Sequence, residues 1–183
     1  MSPSLDQAVS CLRAGGVVAY PTEFCFGLGC DPWNESAVRR ILRLKKRHWR
    51  QGLIVIADKA DRLRRLVEMS DETLMAGPRA SWPGPHSWLL PAKKSVPTWV
   101  RGEHATVAVR VTAHGLVRQL CRESGMALIS TSANRSGRPA LRSARAVEEE
   151  FGDTIDYVVD ARVGDATEPS TITDAATGAA VRG

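Results

Sequence analysis

No apolar run in the 183 residues approaches the roughly 20 that a membrane-crossing helix needs. The opening MSPSLDQAV has no basic segment followed by an apolar one, so no secretory leader is visible and a cytoplasmic address is expected. Cysteine is sparse. Cys11, Cys25, Cys30 and Cys121 form no CxxC pair, and His48, His86, His104 and His114 show no metal-ligand spacing. That pattern argues against zinc and against a redox dithiol, and for reduced, buried thiols. Several catalytic designs are also missing: there is no GxxxxGKS/T, no GxSxG and no HExxH. Gly27-x-Gly29 is followed by Pro32 where the third glycine of a dinucleotide fingerprint would stand. An ATP-using protein of this sequence must therefore hold phosphates with side chains and amides outside those designs. With no internal repeat, low-complexity tract or interdomain linker, a single domain over residues 1–183 is expected, long enough for a substantial core.

What is present is unevenly charged. The net charge of +5 is moderate, but residues 39–50 hold seven Lys or Arg and no acid. Arg39, Arg43, Lys46 and Arg50 would line one face if a helix ran that far. Both a solvated basic face and an RNA or nucleotide contact are open at this point.

The stretch from Gly15 to Arg47 organises the rest. Val17, Val18, Ala19 and Tyr20 form an apolar, β-branched run that reads as a buried strand, stopped by Pro21. Thr22-Glu23 puts polar groups past its carboxyl end, and Gly27 and Gly29 allow tight backbone or close approach to a ligand. Asn34 is a candidate N-cap for a helix whose Ala37, Val38, Ile41 and Leu42 share one face, with Lys45, Lys46 and Arg47 at its end. Strand, polar turn, helix and cationic cluster suit an anionic substrate. Cys25 stands beside this site but has no recognisable base partner, which favours a structural thiol over a nucleophile.

Elsewhere, Ser4-x-x-Gln7 reads as a capping box opening a first helix, with Leu5, Ala8, Val9 and Leu12 as its apolar stripe. Residues 53–57 (LIVIA) read as a central strand, Asp58 as a helix cap, and Ser70 or Asp71 as another. WPGP at 82–85 must be a turn or loop, residues 87–90 resume an extended run, and residues 96–104 look irregular. Thr106 to Val111 alternates, placing Arg110 on the face of Thr106 and Ala108. An arginine on that small-residue face points into a cleft or at a carboxylate, and spacing alone does not choose. Helices near 116–122 and after Ser143, and strands near 127–129, 157–159 and 171–173, complete the pattern. STSAN (130–134) is five small or polar residues at a strand end, either a ligand-facing turn or a cap-rich one. Interleaved strands and helices with mixed connection lengths argue α/β.

PTE followed by FGLG, then Lys45-x-Arg47, then Ser132-x-Asn134 within STSAN, resembles the YrdC-type family of threonylcarbamoyl-adenylate synthases. WPGP, AVRV (108–111) and PSTI (169–172) extend the resemblance over almost the whole chain. It implies an α/β fold with a twisted mixed sheet flanked by helices around a deep open cleft. It also implies a reaction of L-threonine, bicarbonate and ATP, giving threonylcarbamoyl-adenylate and pyrophosphate. By the same resemblance, Lys45 and Arg47 would act on the phosphates, with Mg²⁺ bridging them. Arg47, Thr106, Ser132, Asn134 and Arg182 would contact the nucleotide. Arg110 would take the threonine carboxylate, with Thr22, Ser130 and Ser170 around it. Downstream, a metal-dependent transferase complex would move the product onto tRNA, and tRNA itself could meet Arg39, Arg43, Lys46 and Arg50. Longer relatives carry a further C-terminal domain that a chain of this length is expected to lack.

The chain departs from the family pattern at three places. Phe24 replaces the second Thr of PTET, Ile56 stands where many relatives have His, and His48 replaces the Pro after K-x-R. The first two remove polar contacts from the threonine side and leave the nucleotide side intact. The alternatives are an RNA-binding or ribosome-maturation factor, disfavoured by the absence of an aromatic-interleaved RNA motif, and a carbamoyl transferase, whose usual accessory parts are absent. Lys45 and Arg47, lying past the helix's apolar face, are expected to be dispensable for the core.

Overall fold

A proline opens the first helix, α1 (Pro3–Arg13), where its missing N–H costs nothing. Ser4 is therefore inside the helix rather than its cap. The Tyr157 hydroxyl instead donates to the Gln7 carboxamide oxygen at 2.8 Å and lies 3.1 Å from the Ser4 hydroxyl, which can donate to it in turn. The computed structural model describes residues 3–182, with side chains from 4 to 181; Met1, Ser2 and Gly183 lie outside it.

From α1 the chain forms a tight hairpin, β1 (Val18–Pro21) and β2 (Phe26–Gly29), then α2 (Glu35–Lys45) and β3 (Val55–Ala57). There follow α3 (Glu72–Ser81), β4 (His86–Pro91), α4 (Thr98–Arg101) and β5 (Thr106–Val111). Next come α5 (Gly115–Ser124), β6 (Leu128–Ile129), β7 (Thr131–Ser132) and α6 (Ala144–Phe151). The last strands are β8 (Tyr157–Val158), β9 (Thr171–Asp174) and β10 (Ala180–Arg182). Asn34, Asp71 and Ser143 cap α2, α3 and α6, each accepting from an amide of the first turn. The stretch expected to be irregular contains α4, a single short turn of helix.

The strands fall into two mixed sheets rather than one, in the orders β7-β2-β1-β8 and β10-β9-β4-β5-β3-β6. The β6–β7 segment stitches them together. Ile129 N donates to Cys30 O and Ser130 N donates to Ile54 O, both at 2.9 Å, so one short stretch bonds to both sheets. Gly29 is required at this seam: a Cβ there would come within 2.5 Å of Ile129 O and 2.6 Å of the Tyr20 ring. Its close approach is to the protein itself, not to a ligand.

Two cores cover the two sides. Leu5, Ala8, Val9 and Leu12 of α1 pack with Val117, Leu120 and Cys121 of α5 over Val18, Tyr20, Ile56 and Leu128. The larger core joins Ala37, Val38, Ile41 and Leu42 of α2 to Val55, Val107, Val109 and Val111, and to Val147 and Phe151 of α6. The period-2 pattern of β5 thus buries its valines and turns Thr106, Ala108 and Arg110 to the other side. Burial also pushes the Cys11 thiol up to about 11 and the Cys121 thiol up to about 12, so both stay protonated. Among the described residues no helix is long and apolar enough to cross a membrane.

Asp58 is not a helix cap. The 3₁₀ turn after it, Ala60–Leu63, begins at Lys59, and Asp58 accepts from Arg62 Nε at 2.5 Å in a largely buried ion pair. Burial alone would raise the Asp58 carboxyl, but the Arg62 hydrogen bond and charge outweigh it and hold it below its usual value. Asp58→Asn is therefore expected to cost about 1–3 kcal/mol of stability at neutral pH. With its folded pKa depressed, the wild-type advantage is complete above the ordinary aspartate range and is lost as pH falls through the folded value. Denaturant unfolding of both proteins, at neutral pH and in acid, checks the size and the convergence.

Candidate active site

A cavity of about 730 Å³ opens between the β1–β2 turn, the segment after α2, β3, β5 and the β6–β7 turn. Thr22, Arg47, Thr106, Arg110, Ser130, Ser132, Asn134 and Ser170, each singled out from the sequence, all line it. Lys45 does not. The side chain of Arg182 lies outside the described residues, although its neighbour Val181 is on the cavity wall.

The cationic corner is shaped by how α2 stops. Lys46 adopts the left-handed conformation (φ 51°), and Arg47 N donates to Leu42 O at 2.9 Å, which closes the helix in one step. This reversal turns Arg47 into the cavity, where its guanidinium donates to Gly52 O at 3.0 Å. It also breaks the expected basic stripe. Arg39, Arg43 and Lys46 border a shallow surface pocket with His48 and Trp49, but Arg50 sits on a separate 3₁₀ turn, paired with Glu103 and stacked over Trp49. Arg39 is paired with Glu35 one helical turn away.

Lys45 is the largest departure from expectation. Only 4% exposed, it belongs to the buried face of α2. Its ammonium donates to Ser132 O at 2.5 Å, Asn134 O at 2.9 Å and Asn134 Oδ1 at 2.8 Å. The same Oδ1 accepts from Ser132 Oγ at 2.7 Å, and Asn134 Nδ2 donates to Arg138 O at 2.5 Å. Burial and the nearby Arg47 charge pull the Lys45 ammonium down to about 8, so it remains the cation at neutral pH. Lys45 thus sets the shape of the Ser132–Asn134 turn from behind the cavity wall.

Arg110 is 6% exposed and its Nη1 lies 3.2 Å from Glu23 Oε2. Glu23 Oε1 accepts from the Thr112 hydroxyl at 2.7 Å. Burial would raise the Glu23 carboxyl, but Arg110 and Thr112 overcome this and keep it below its ordinary value, hence ionised. Burial lowers the adjacent His114, which favours the neutral imidazole. Both destinations allowed for Arg110 by the sequence are thus realised, a carboxylate and a cavity. Ile56 pairs directly with Arg110 across β3 and β5, and Phe24 lies on the wall beneath the Arg142 guanidinium. Thr22 is spent locally, its hydroxyl donating to Cys25 O at 2.7 Å.

Glu23, Gln51, Arg101, His104 and Glu168 also line the cavity. From the sequence Glu23 reads only as a polar group past the first strand, with no role assigned, although a buried arginine calls for a carboxylate. The others lie on turns whose approach to the cavity depends on tertiary packing.

Comparison with known proteins gives a consistent picture. The Sua5/YciO/YrdC family model, described as "Telomere recombination", matches residues 10–182. A threonylcarbamoyl-AMP synthase of Methylobacillus flagellatus is 50% identical over 171 residues, spanning 93% of this chain and 94% of the relative. The enzyme of that name from Coxiella burnetii is 44% identical over 98% of this chain and 96% of its own. The structure of P. abyssi Sua5 complexed with L-threonine superposes with a TM-score of 0.86 at 34% identity, over 93% of this chain. This chain spans about half the length of that protein, 50% of it.

The buried ammonium of Lys45 has a direct consequence. Lys45→Ala should remove three charge-assisted bonds and leave carbonyls unpaired, costing about 1.5–3 kcal/mol rather than the few tenths typical of a surface lysine. Urea unfolding of Lys45→Ala and of Lys45→Met, which keeps the apolar stem, measures how much belongs to the ammonium.

Proposed function

The chain belongs to the Sua5/YciO/YrdC family, and on that premise we propose that it is a nucleotidyltransferase making threonylcarbamoyl-adenylate from L-threonine, bicarbonate and ATP. The observation that carries this reading is one cavity lined both by a buried guanidinium, Arg110, and by Arg47 with Ser132 and Asn134. The similarity to proteins named threonylcarbamoyl-AMP synthase gives that pairing its chemistry.

In this reading Arg110 holds the threonine carboxylate, with Ser130 and Ser170 beside it. The threonine amine, as its neutral form, condenses with bicarbonate and loses water to give a carbamate. The carbamate oxygen then attacks the α-phosphorus of ATP as the bond to the β-phosphate oxygen breaks, and pyrophosphate leaves. Negative charge builds on the oxygens around the pentavalent phosphorus, and in this reading Arg47 offsets it. Thr106, Ser132, Asn134 and Arg182 contact the nucleotide. Lys45 acts by holding Ser132 and Asn134 rather than by reaching the phosphates.

Mg²⁺, brought with the nucleotide, would supply charge neutralisation for the pyrophosphate leaving group. Among the described residues no group of three His, Cys, Asp or Glu could cage a metal. Of the two carboxylates on the cavity wall, Glu23 is engaged by Arg110 and Thr112, which leaves Glu168. Phosphate oxygens and water would therefore supply most of the ligands. The whole chain works as one domain in the cytoplasm. Its product passes to a transferase that modifies tRNA, and tRNA contact falls to Arg43 and Lys46 in this reading, with Arg39 and Arg50 sharing their charge with acids.

With Phe24, Ile56 and Ala108 on the wall, the threonine methyl meets apolar surface, a difference worth about 1–3 kcal/mol against serine. Threonine should be preferred over serine by that margin, and an amino acid such as glutamate should not turn over. The decisive assay is pyrophosphate release from ATP with threonine or bicarbonate omitted in turn. Release should require both. Arg47→Ala should fold, yet lose on the order of 10²–10³ in that rate, and Lys at the position should rescue it poorly. Wild-type release by Arg47→Ala at saturating substrate would remove Arg47 from the chemistry.

A further inference from the structure

Arginine side chains that recognise carboxylates need a fixed fork, and long side chains do not fix themselves. Arg110 projects from the middle of the sheet, where β5 is held on both sides by β3 and β4. Its backbone is therefore rigid, but its guanidinium needs a second constraint. Glu23 supplies one from a different element, the β1–β2 turn. Its Oε2 is 3.2 Å from Arg110 Nη1, and its Oε1 takes the Thr112 hydroxyl at 2.7 Å. The backbone of Glu23 is fixed in turn by a third segment: Ala166 N donates to Glu23 O at 3.0 Å, and Gly164 N donates to Thr22 O at 2.9 Å. Gly164 packs so closely that a Cβ would sit 2.9 Å from Glu23 O. The carboxylate that meets the cavity's arginine is thus held by Arg110 of β5 and by Thr112 just after it, and it stands on a turn whose backbone is tied to a further stretch of chain.

We propose that Glu23 is the positioning residue for Arg110: its carboxylate, in ionic contact with Nη1 rather than in a directed hydrogen bond, holds the guanidinium toward the carboxylate of the amino-acid substrate. Arg110 Nε is buried and has no acceptor among the described residues, so the guanidinium keeps unmet hydrogen-bonding capacity at the cavity it lines, which a substrate carboxylate could take up. The proposal rests on the reading that Arg110 receives the substrate carboxylate. A merely structural ion pair would offset the burial of two charges and nothing more. A positioning role predicts more, a selective effect on one substrate. The ionised state of Glu23, kept by Arg110 and Thr112, fits that role.

The test compares Glu23→Gln, Glu23→Asp and Arg110→Ala in the full chain. L-threonine binding and ATP binding are measured by calorimetry, and the two KM values are set against kcat. Glu23→Gln keeps the size of the side chain and a possible Thr112 contact but loses the charge. Threonine should bind on the order of 10- to 100-fold more weakly, with ATP affinity within about twofold and kcat at saturating threonine changed far less than KM. Glu23→Asp should restore part of the loss. The assignment is overturned if folded Glu23→Gln binds threonine as wild type, if both affinities fall together, or if neither Glu23 variant folds. Arg110→Ala separates the two levels. Unchanged threonine affinity in that variant strikes the pocket reading itself, whereas its loss alongside an unaffected Glu23→Gln strikes only Glu23.

Discussion

The sealed ammonium of Lys45 is the constraint on which the cavity depends. A lysine cation removed from water must be surrounded by oxygen acceptors, and here they come from one turn, Ser132 and Asn134. Burial and the Arg47 charge disfavour the cation and pull it down to about 8. Since α2 is anchored through Ile41 and Leu42 in the larger core, the turn is tied to a rigid element rather than to a loop. The same helix end, reversed at Lys46, sends Arg47 into the cavity. One helix terminus therefore shapes the cavity twice, from behind the wall through Lys45 and on it through Arg47.

The second arginine is held by a different device. Arg110 is placed by strand pairing, and its guanidinium is balanced by Glu23 across the cavity floor. The two arginines are held differently: Arg47 donates to a main-chain carbonyl, Gly52 O, whereas Arg110 stands against the Glu23 carboxylate. Phe24, Ile56 and Ala108 add apolar surface to the same cavity wall.

Much of this was legible in the sequence because local rules carried it. Asn34 and Ser143 announced their helices, alternation in β5 set the face of Arg110, and motif order identified eight of the cavity's residues. The failures share a cause. Ser4 and Gln7 read as a capping box, but Tyr157, distant in sequence, engages them. Arg39, Arg43, Lys46 and Arg50 read as one stripe because nothing local shows that Lys46 ends the helix in a left-handed turn. Lys45 read as a surface cation because its acceptors arrive from a turn far along the chain. The division into two sheets likewise depends on the β6–β7 segment bonding to both, which no local pattern encodes.

The most direct measurement is the identity of the product. The purified protein is incubated with ATP, Mg²⁺, L-threonine and ¹³C-labelled bicarbonate, and the nucleotide fraction is resolved by mass spectrometry. An adenylate carrying both threonine and one labelled carbon, formed in step with pyrophosphate, is the expected result. An unlabelled threonyl-adenylate, or AMP or ADP with no adduct from the freshly quenched reaction, would contradict the carbamate chemistry assigned to the cavity.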